Sequence, residues 1–212
     1  MHYYYFIIPG LCAAFCLIAG LKFRSFLPIS LSLLIIEAVL SIFTDISSLF
    51  FFDRSEEIHN TFLLVDTLLL SFATYSLLKP HIRNKLYPIS IITFLISWLY
   101  SIFQAGFDHF ANFSLAVSSL VITTNYLFAL YQSELFAEKH LIIPTRTICF
   151  ALIIYHCGTF AFFCALPYLM NDSIPNYIID INTILDSMKY ILTGVAFYIF
   201  KRNSSPKKSA NG

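Results

Sequence analysis

The chain has 212 residues, of which 58% are hydrophobic and only 12% are charged, whereas soluble domains carry about 25% charged residues. This composition excludes a soluble globular domain and predicts an all-α integral membrane protein whose immediate partner is the lipid bilayer. The formal net charge of +1 identifies no further class of partner, and we predict no nucleic-acid partner.

Seven apolar runs separated by short polar connections predict seven membrane-spanning helices. The runs are Tyr5–Leu21, Phe26–Phe52, Ile58–Leu78, Tyr87–Phe107, Phe113–Phe136, Thr147–Met170 and Tyr177–Phe200. Because each span takes about 20 residues, residues 1–200 are expected to form a single transmembrane bundle with no separate soluble domain. The first run lacks a basic leader and a cleavage pattern, so we expect it to be retained. Residues 201–212 are expected to form a short, basic, disordered cytoplasmic tail.

Basic residues alternate from one connection to the next. The first, third and fifth connections and the tail hold nearly every Lys and Arg, the second is rich in acidic residues, and the fourth and sixth contain neither Lys nor Arg. Lys and Arg accumulate on the cytoplasmic side of short loops. The pattern therefore predicts an amino terminus outside, a carboxy terminus inside, and a multi-pass location in the cytoplasmic (inner) membrane.

The last run carries a polar stripe at helical spacing. Asn182, Asp186, Lys189 and Thr193 follow one another at intervals of four, three and four residues, which places them on one helical face. At a rise of 1.5 Å per residue, Lys189 lies roughly 18 Å from Lys201, close to the midplane of a ~30 Å hydrocarbon core. Ionised groups at that depth cost free energy unless they are paired or hydrated. Asp186 and Lys189 are therefore the first candidate site.

The other runs also place polar residues at membrane depth, on faces that we expect to look inward. The second run carries Glu37, Ser41, Thr44 and Ser48, with Asp45 beside them, and the third carries His59 and Asp66. The fourth carries Ser90, Thr93, Ser97, Ser101 and Gln104. The fifth carries Ser114, Ser118, Asn125 and Gln132, and the sixth carries His156 and Thr159. The ionisable groups among them share a layer between the midplane and the outer leaflet. We predict a polar cavity that opens to the outside and binds a ligand or ion through Glu37, Asp66, Asn125, His156, Asp186 and Lys189.

Each of these features also has a purely structural interpretation. Ser and Thr stripes in membrane helices usually serve packing and local hydrogen bonds, and a lone buried His156 is more often a core residue than a metal ligand. The five cysteines all lie in apolar runs; Cys12 and Cys16, one turn apart, are more often apolar filler than ligands of a soft metal. The Asp186/Lys189 pair has two interpretations: it is part of a functional site, or it is a buried ion pair that only fixes the helix register. We predict no metal site and no catalytic residue, and no motif identifies a cofactor.

A lysine at midplane depth in the last helix, together with an external amino terminus, resembles the arrangement in microbial rhodopsins. The resemblance implies retinal bound to Lys189 through a Schiff base, with Asp66 or Asp186 as the counterion. The chain departs from that family in three places: its aspartate precedes the lysine by three residues rather than four, the third run lacks the family's arginine-to-aspartate-tryptophan pattern around Asp66, and the sixth run has no tryptophan.

A second resemblance covers almost the whole chain. The segments His59–Asp66, Pro144–Tyr155 and Tyr177–Asn182, together with the richness in Phe, Ile and Tyr, resemble a group of small seven-helix membrane proteins of Bacteroidota-type bacteria. The group has no established activity, so the resemblance implies the architecture alone.

The favoured function is a non-enzymatic sensory, signalling or regulatory membrane module that passes a helix shift to a cytoplasmic partner protein. The alternatives are a lipid-modifying enzyme with Asp66 and His156 as acid and base, an ion- or proton-coupled transporter, a retinal protein, and a membrane component of a defence system. Against a transporter stands the lack of Gly/Pro-broken helices in matching halves of the chain.

Overall fold

The structure is a computed structural model that describes residues 4–27, 29–75, 77–133, 139–169 and 176–204. Within these ranges the chain is all-α, without a strand. The seven α-helices are α1 (Tyr4–Phe23), α2 (Leu33–Phe50), α3 (Ser55–Thr74), α4 (Pro80–Ala105), α5 (Asn112–Gln132), α6 (Lys139–Leu169) and α7 (Asn176–Ser204). Short 3₁₀ turns at Arg24–Phe26 and Phe52–Arg54 lead towards α2 and α3.

Local chemistry explains several helix ends. Helix α4 starts on Pro80, whose fixed φ suits the first helical position and whose missing N–H is not needed there. It stops before Gly106, which has a φ of 90°, a conformation that residues with a side chain rarely adopt. Helix α7 ends with Lys201 and Arg202, whose charges complement the negative end of the helix dipole.

Several predicted boundaries differ from the observed ones. Helix α2 begins at Leu33 rather than at Phe26, because Leu27, which precedes a proline, is extended. Polar residues assigned to connections lie instead in the first turns of α3, α4 and α6, so these helices start three to eight residues early. Helix α7 continues past Phe200 to Ser204. The predicted ends at Phe136 and Met170, and residues 205–212 of the tail, lie outside the described residues.

Six helices form a closed ring, and α4 lies outside it. Around the ring, α1 contacts α2, α2 contacts α3, α3 contacts α5, α5 contacts α6, α6 contacts α7, and α7 returns to α1. Helix α4 packs against α5 and, less extensively, against α3. The ring encloses the main apolar core, which includes Leu70, Tyr126, Leu152 and Phe197.

The α1–α7 contact is close because a glycine lies in it. A Cβ built on Gly194 would lie 2.6 Å from Cε1 of Phe15 and 3.4 Å from the Cα of Cys16. Small residues let helix backbones approach in this way, which favours packing where lipid, not water, surrounds the helices.

Polar side chains join the peripheral α4 to its neighbour. The Ser114 hydroxyl contacts both the Ser97 carbonyl, at 2.8 Å, and the Ser101 hydroxyl, at 2.7 Å. This agrees with the structural interpretation of the serine stripes. The prediction that Thr93 and Gln104 also face inward is wrong, because both are exposed. Only one flank of α4 is covered, so its buried strip is narrow.

Four helical segments among the described residues are long and apolar enough to cross a membrane: Pro80–Ala105, Asn112–Gln132, Leu141–Cys164 and Asp180–Asn203. Large apolar side chains also cover the outer surface, among them Leu11, Phe43 and Phe103, which are 66%, 66% and 86% exposed. Apolar helices with apolar outer faces fit a membrane protein, because such surfaces are stable in lipid and costly in water.

Candidate functional site

Lys189 is held by two carboxylates inside the ring. Its Nζ lies 3.0 Å from Oε1 of Glu37 on α2 and 3.1 Å from Oδ1 of Asp186, one turn earlier on α7. The Lys189 and Glu37 side chains are only 5% and 4% exposed. The Tyr190 hydroxyl donates a second hydrogen bond to Glu37 Oε1, at 2.9 Å. Charge-assisted contacts of this length make the cluster a strong link between α2 and α7.

Aromatic rings complete the surroundings of the ammonium group. The Lys189 Nζ lies 4.4 Å from the ring centroid of Tyr155, on α6, and 4.2 Å from that of Tyr190. A cation at this distance from an aromatic face is stabilised by the ring quadrupole, and more so where water is excluded. Lys189 therefore connects α2, α6 and α7 through a single atom.

A cavity of about 270 Å³ lies beside this cluster. Helices α2, α3, α5, α6 and α7 and the α4–α5 connection contribute to its walls. Its ionisable lining consists of Asp45, Asp66, Asp186, Lys189, His59 and His156, and its aromatic lining of Phe62, Phe110, Tyr155 and Phe163. It extends from Lys189 to His59, which lies in the second turn of α3, and to Phe110 in the α4–α5 connection. The cavity thus runs from mid-bundle towards the end where α3 and α5 begin.

Two buried side chains on the cavity wall have polar atoms without a partner. Asp66 is 9% exposed and its Oδ1 makes no hydrogen bond; His156 is 3% exposed and neither of its ring nitrogens makes one. Oδ1 of Asn182, which also lines the cavity, is unpartnered as well. Buried polar groups without a hydrogen-bond partner lower the stability of the folded state. Because these side chains line one cavity, a polar occupant, water included, would satisfy them.

The cavity region contains more acidic than basic groups. Four carboxyl groups accompany the Lys189 ammonium group. Those of Asp45, Asp66 and Asp186 line the cavity. That of Glu37 contacts Lys189 but is not part of the cavity lining. No second lysine or arginine lines the described wall. The arrangement therefore favours an occupant that carries positive charge or donates hydrogen bonds.

Five of the six predicted site residues meet at this place. Glu37, Asp186 and Lys189 form the ion cluster, and Asp66 and His156 line the cavity. Asn125 is buried but lies outside the cavity lining. Its Oδ1 accepts a hydrogen bond from the Ser90 hydroxyl at 2.9 Å, so its observed contact joins α5 to α4.

Sequence reasoning missed the aromatic part of the site. Tyr155 and Tyr190 flank the ammonium, yet neither differs by composition from the other aromatic residues of this Phe- and Tyr-rich chain. The only available signal was that Tyr155 immediately precedes His156 and Tyr190 immediately follows Lys189. His59 and Asn182 also line the cavity; both belong to the polar stripes described above but not to the six predicted site residues.

A separate buried network orders the end of the bundle near the cavity. The Asn60 side-chain amide donates to the carbonyls of Phe107, at 3.0 Å, and His109, at 2.8 Å, and its Oδ1 accepts from the Ala111 backbone N–H at 3.1 Å. The Trp98 indole donates to the Asn60 carbonyl at 3.1 Å. These bonds fix the α4–α5 connection, which carries Phe110 into the cavity wall.

The geometry defines a buried, acidic and aromatic cavity within an all-α bundle. Comparison with protein-family models, with curated proteins and with solved structures finds no match to this chain.

Proposed function

We propose that this chain is a sensory module of the cytoplasmic membrane, with seven spans and an external amino terminus, whose cavity binds a small cationic ligand from the outer side. One observation carries the proposal: on the wall of a single cavity, carboxyl groups outnumber lysine and arginine, and several polar atoms have no hydrogen-bond partner. On this proposal the ligand enters at the His59 and Phe110 end, which the distribution of basic residues puts outside.

The cavity dimensions favour a ligand of few atoms. Ligand sites commonly have volumes of about 300–1,000 Å³, and this cavity, at about 270 Å³, lies just below that range. An ammonium group would meet Asp66, whose Oδ1 has no partner, on the acidic wall and the Phe62 or Phe110 ring on the aromatic wall. Carboxylates and aromatic faces both stabilise such a cation.

Binding can be coupled to helix position through Lys189. The cluster holds α2 to α7 by the Glu37 contact and lines the cavity through Asp186 and Lys189. A cation that competes for the Asp186 carboxylate alters the contacts of Lys189 and hence the α2–α7 link. A ligand shifts a conformational equilibrium only by such differential contacts. The resulting helix shift would be read by a cytoplasmic partner protein, since the described residues contain no separate output domain.

Thermal unfolding in lipid nanodiscs tests the binding step. We expect ethylammonium to raise the unfolding temperature of the protein in a concentration-dependent way, because a ligand that binds only the folded state stabilises it by mass action. Propanol, a neutral molecule of similar shape, should have no such effect.

Two variants make this test specific to the cavity. Asp66→Asn should remove the effect of ethylammonium, whereas Asp53→Asn, which removes the same charge from an exposed position outside the cavity, should retain it. An equal shift in both variants, or an equal effect of propanol, would contradict the proposal. Accumulation of labelled ethylammonium inside proteoliposomes would assign the site to a transporter instead.

For the alternative of a lipid-modifying enzyme, the described residues offer no metal-ligand set. In the part of the chain that the structure describes, no three His, Cys, Asp or Glu residues are placed to hold one metal ion. Asp66 and His156 do line the same cavity, which is the one feature that an acid–base mechanism shares with this structure.

A further inference from the structure

An apolar groove adjoins the cavity across the contact between α2 and α3. It has a volume of about 490 Å³ and is walled by Leu40 and Phe43 of α2, by Phe51 just after that helix, and by Ile58 and Thr61 of α3, among others. Arg54 and Glu57 line it as well. Phe43 and Phe51 are 66% and 62% exposed, so the groove lies on the outer face of the bundle. In a membrane this face meets lipid chains.

Two residues belong to both spaces. Thr44 of α2 and Phe62 of α3 line the cavity on one side and the groove on the other. The polar, acidic cavity and the apolar groove therefore adjoin, and these two side chains form the partition between them. A phenylalanine ring turns about two single bonds, so this partition can open without a change in the helices.

We propose that the ligand is a single-chain amphiphile with an amine head: the ammonium group occupies the cavity beside Asp66, and the alkyl chain lies in the α2–α3 groove, passing between Thr44 and Phe62. The inference rests on the proposed function, since it takes the cation site from it and adds the chain and the route. Charge complementarity assigns the head, and the adjacency of the two spaces at Thr44 and Phe62 assigns the chain.

The two parts of the ligand contribute differently. Bilayer chains solvate an alkyl chain about as well as an apolar groove does, so the groove supplies little affinity relative to lipid. It supplies a place for the chain and lateral access from the bilayer. Selectivity among membrane amphiphiles must then come from the ammonium group and the acidic wall. An alcohol with the same chain lacks this contact.

Photo-crosslinking in phosphatidylcholine nanodiscs tests the proposal on the full chain. The probe is a long-chain primary alkylamine that carries a diazirine within its chain, and the labelled residues are mapped by mass spectrometry. We expect adducts on the groove-facing residues of α2 and α3. Unlabelled alkylamine should suppress them at a roughly tenfold lower concentration than the alcohol of equal chain length does, because one charge-assisted contact is worth about tenfold in affinity.

The α4–α5 surface offers a matched control. A second apolar groove there, of about 680 Å³, is lined by Thr93, Ile96 and Tyr100 among others, and no acidic residue belongs to its described lining. Thr61 and Thr93 are both exposed threonines that line one groove each. Thr61→Trp should abolish competable labelling of the α2–α3 groove, and Thr93→Trp should leave it unchanged.

The outcomes separate this inference from the proposed function. Equal labelling of both grooves, or suppression by the alcohol as effective as by the amine, would overturn the assignment of the ligand as an amine-headed amphiphile. If ethylammonium still protects the wild-type protein through Asp66 in that case, the small-cation site stands alone. If neither probe responds to Asp66→Asn, both proposals fail. Retention of the ethylammonium effect in Thr61→Trp shows that this variant is folded.

Discussion

Replacement of Lys189 by methionine removes the central cation of the site while retaining an unbranched side chain. In the structure the ammonium group contacts Glu37 and Asp186 at 3.0 and 3.1 Å, and the Glu37 side chain is only 4% exposed. Without the lysine, Glu37 retains a hydrogen bond from the Tyr190 hydroxyl but no cation. Removal of one partner of a buried ion pair typically costs about 3–5 kcal/mol. Asp186 adds less, since its side chain is 19% exposed.

A double variant separates the ion pair from a general packing effect. Combining Lys189→Met with Glu37→Gln removes both charges, so no buried carboxylate at Glu37 is left unpaired. We expect the double variant to be less destabilised than the sum of the single variants, by about 0.5–3 kcal/mol, the usual coupling of residues in contact. Lys22→Met, which removes an exposed cation from the end of α1, should change stability little. Equilibrium unfolding with increasing SDS in mixed micelles, followed by helix content, measures these differences.

A second readout tests the role of Lys189 in transmission. Spin labels are placed at Ile36 on α2 and Ile191 on α7, both exposed, in a background whose native cysteines are replaced. Ethylammonium should change the distance between the labels in the otherwise unaltered protein and in Lys22→Met. In Lys189→Met the protein should remain inserted while the distance no longer responds. Additive single-variant effects on stability, together with an unaltered distance response, would refute the reasoning.

Three further predictions concern the fold and the topology. Asn60→Leu removes three side-chain hydrogen bonds to the α4–α5 connection, so we expect a loss of about 3 kcal/mol in SDS unfolding and a changed emission of the single tryptophan; unaltered emission would count against the network. Gly194→Val places a Cβ 2.6 Å from an aromatic ring of α1, so it should lower the free energy of unfolding by about 1–3 kcal/mol. A Cβ on Gly10 meets nothing within 4 Å. The thermal unfolding temperature of Gly10→Val should therefore be close to that of the parent protein. On intact cells a membrane-impermeant maleimide should label Asp53→Cys and not Lys79→Cys in a cysteine-free background, and the reverse pattern would invert the proposed topology.

The sequence alone determined the helical class and the inward direction of most polar faces. In α2, Glu37, Ser41, Thr44 and Ser48 are all buried, as their spacing predicts. The reason is local and energetic: the 3.6-residue period sets which side chains share a face, and charged groups are too costly to place against lipid. These two constraints also brought Asp186 and Lys189 together, since the pair spans one turn of one helix.

Helix ends and peripheral faces were less predictable. An apolar run marks the part of a helix that lipid or core requires, whereas the backbone can continue through polar residues, as it does at the start of α6 and at the end of α7. Thr93 lies beside the narrow strip that α5 covers on α4 and is therefore exposed. Its spacing from Ser90 could not show how wide that strip is, because the width depends on the number of neighbouring helices.

Only the tertiary structure decided which residues meet. Glu37 and Lys189 are 152 positions apart, and nothing in either segment specifies that Glu37 on α2 reaches Lys189 on α7 rather than a residue of α5. The same holds for Asn125, whose spacing on α5 resembles that of a site residue but whose neighbour is Ser90 on the peripheral helix. Helix periodicity records which face is buried, while the identity of the partner depends on how all seven helices pack at once. The cavity between Lys189, Asp66 and His156 is a product of that packing.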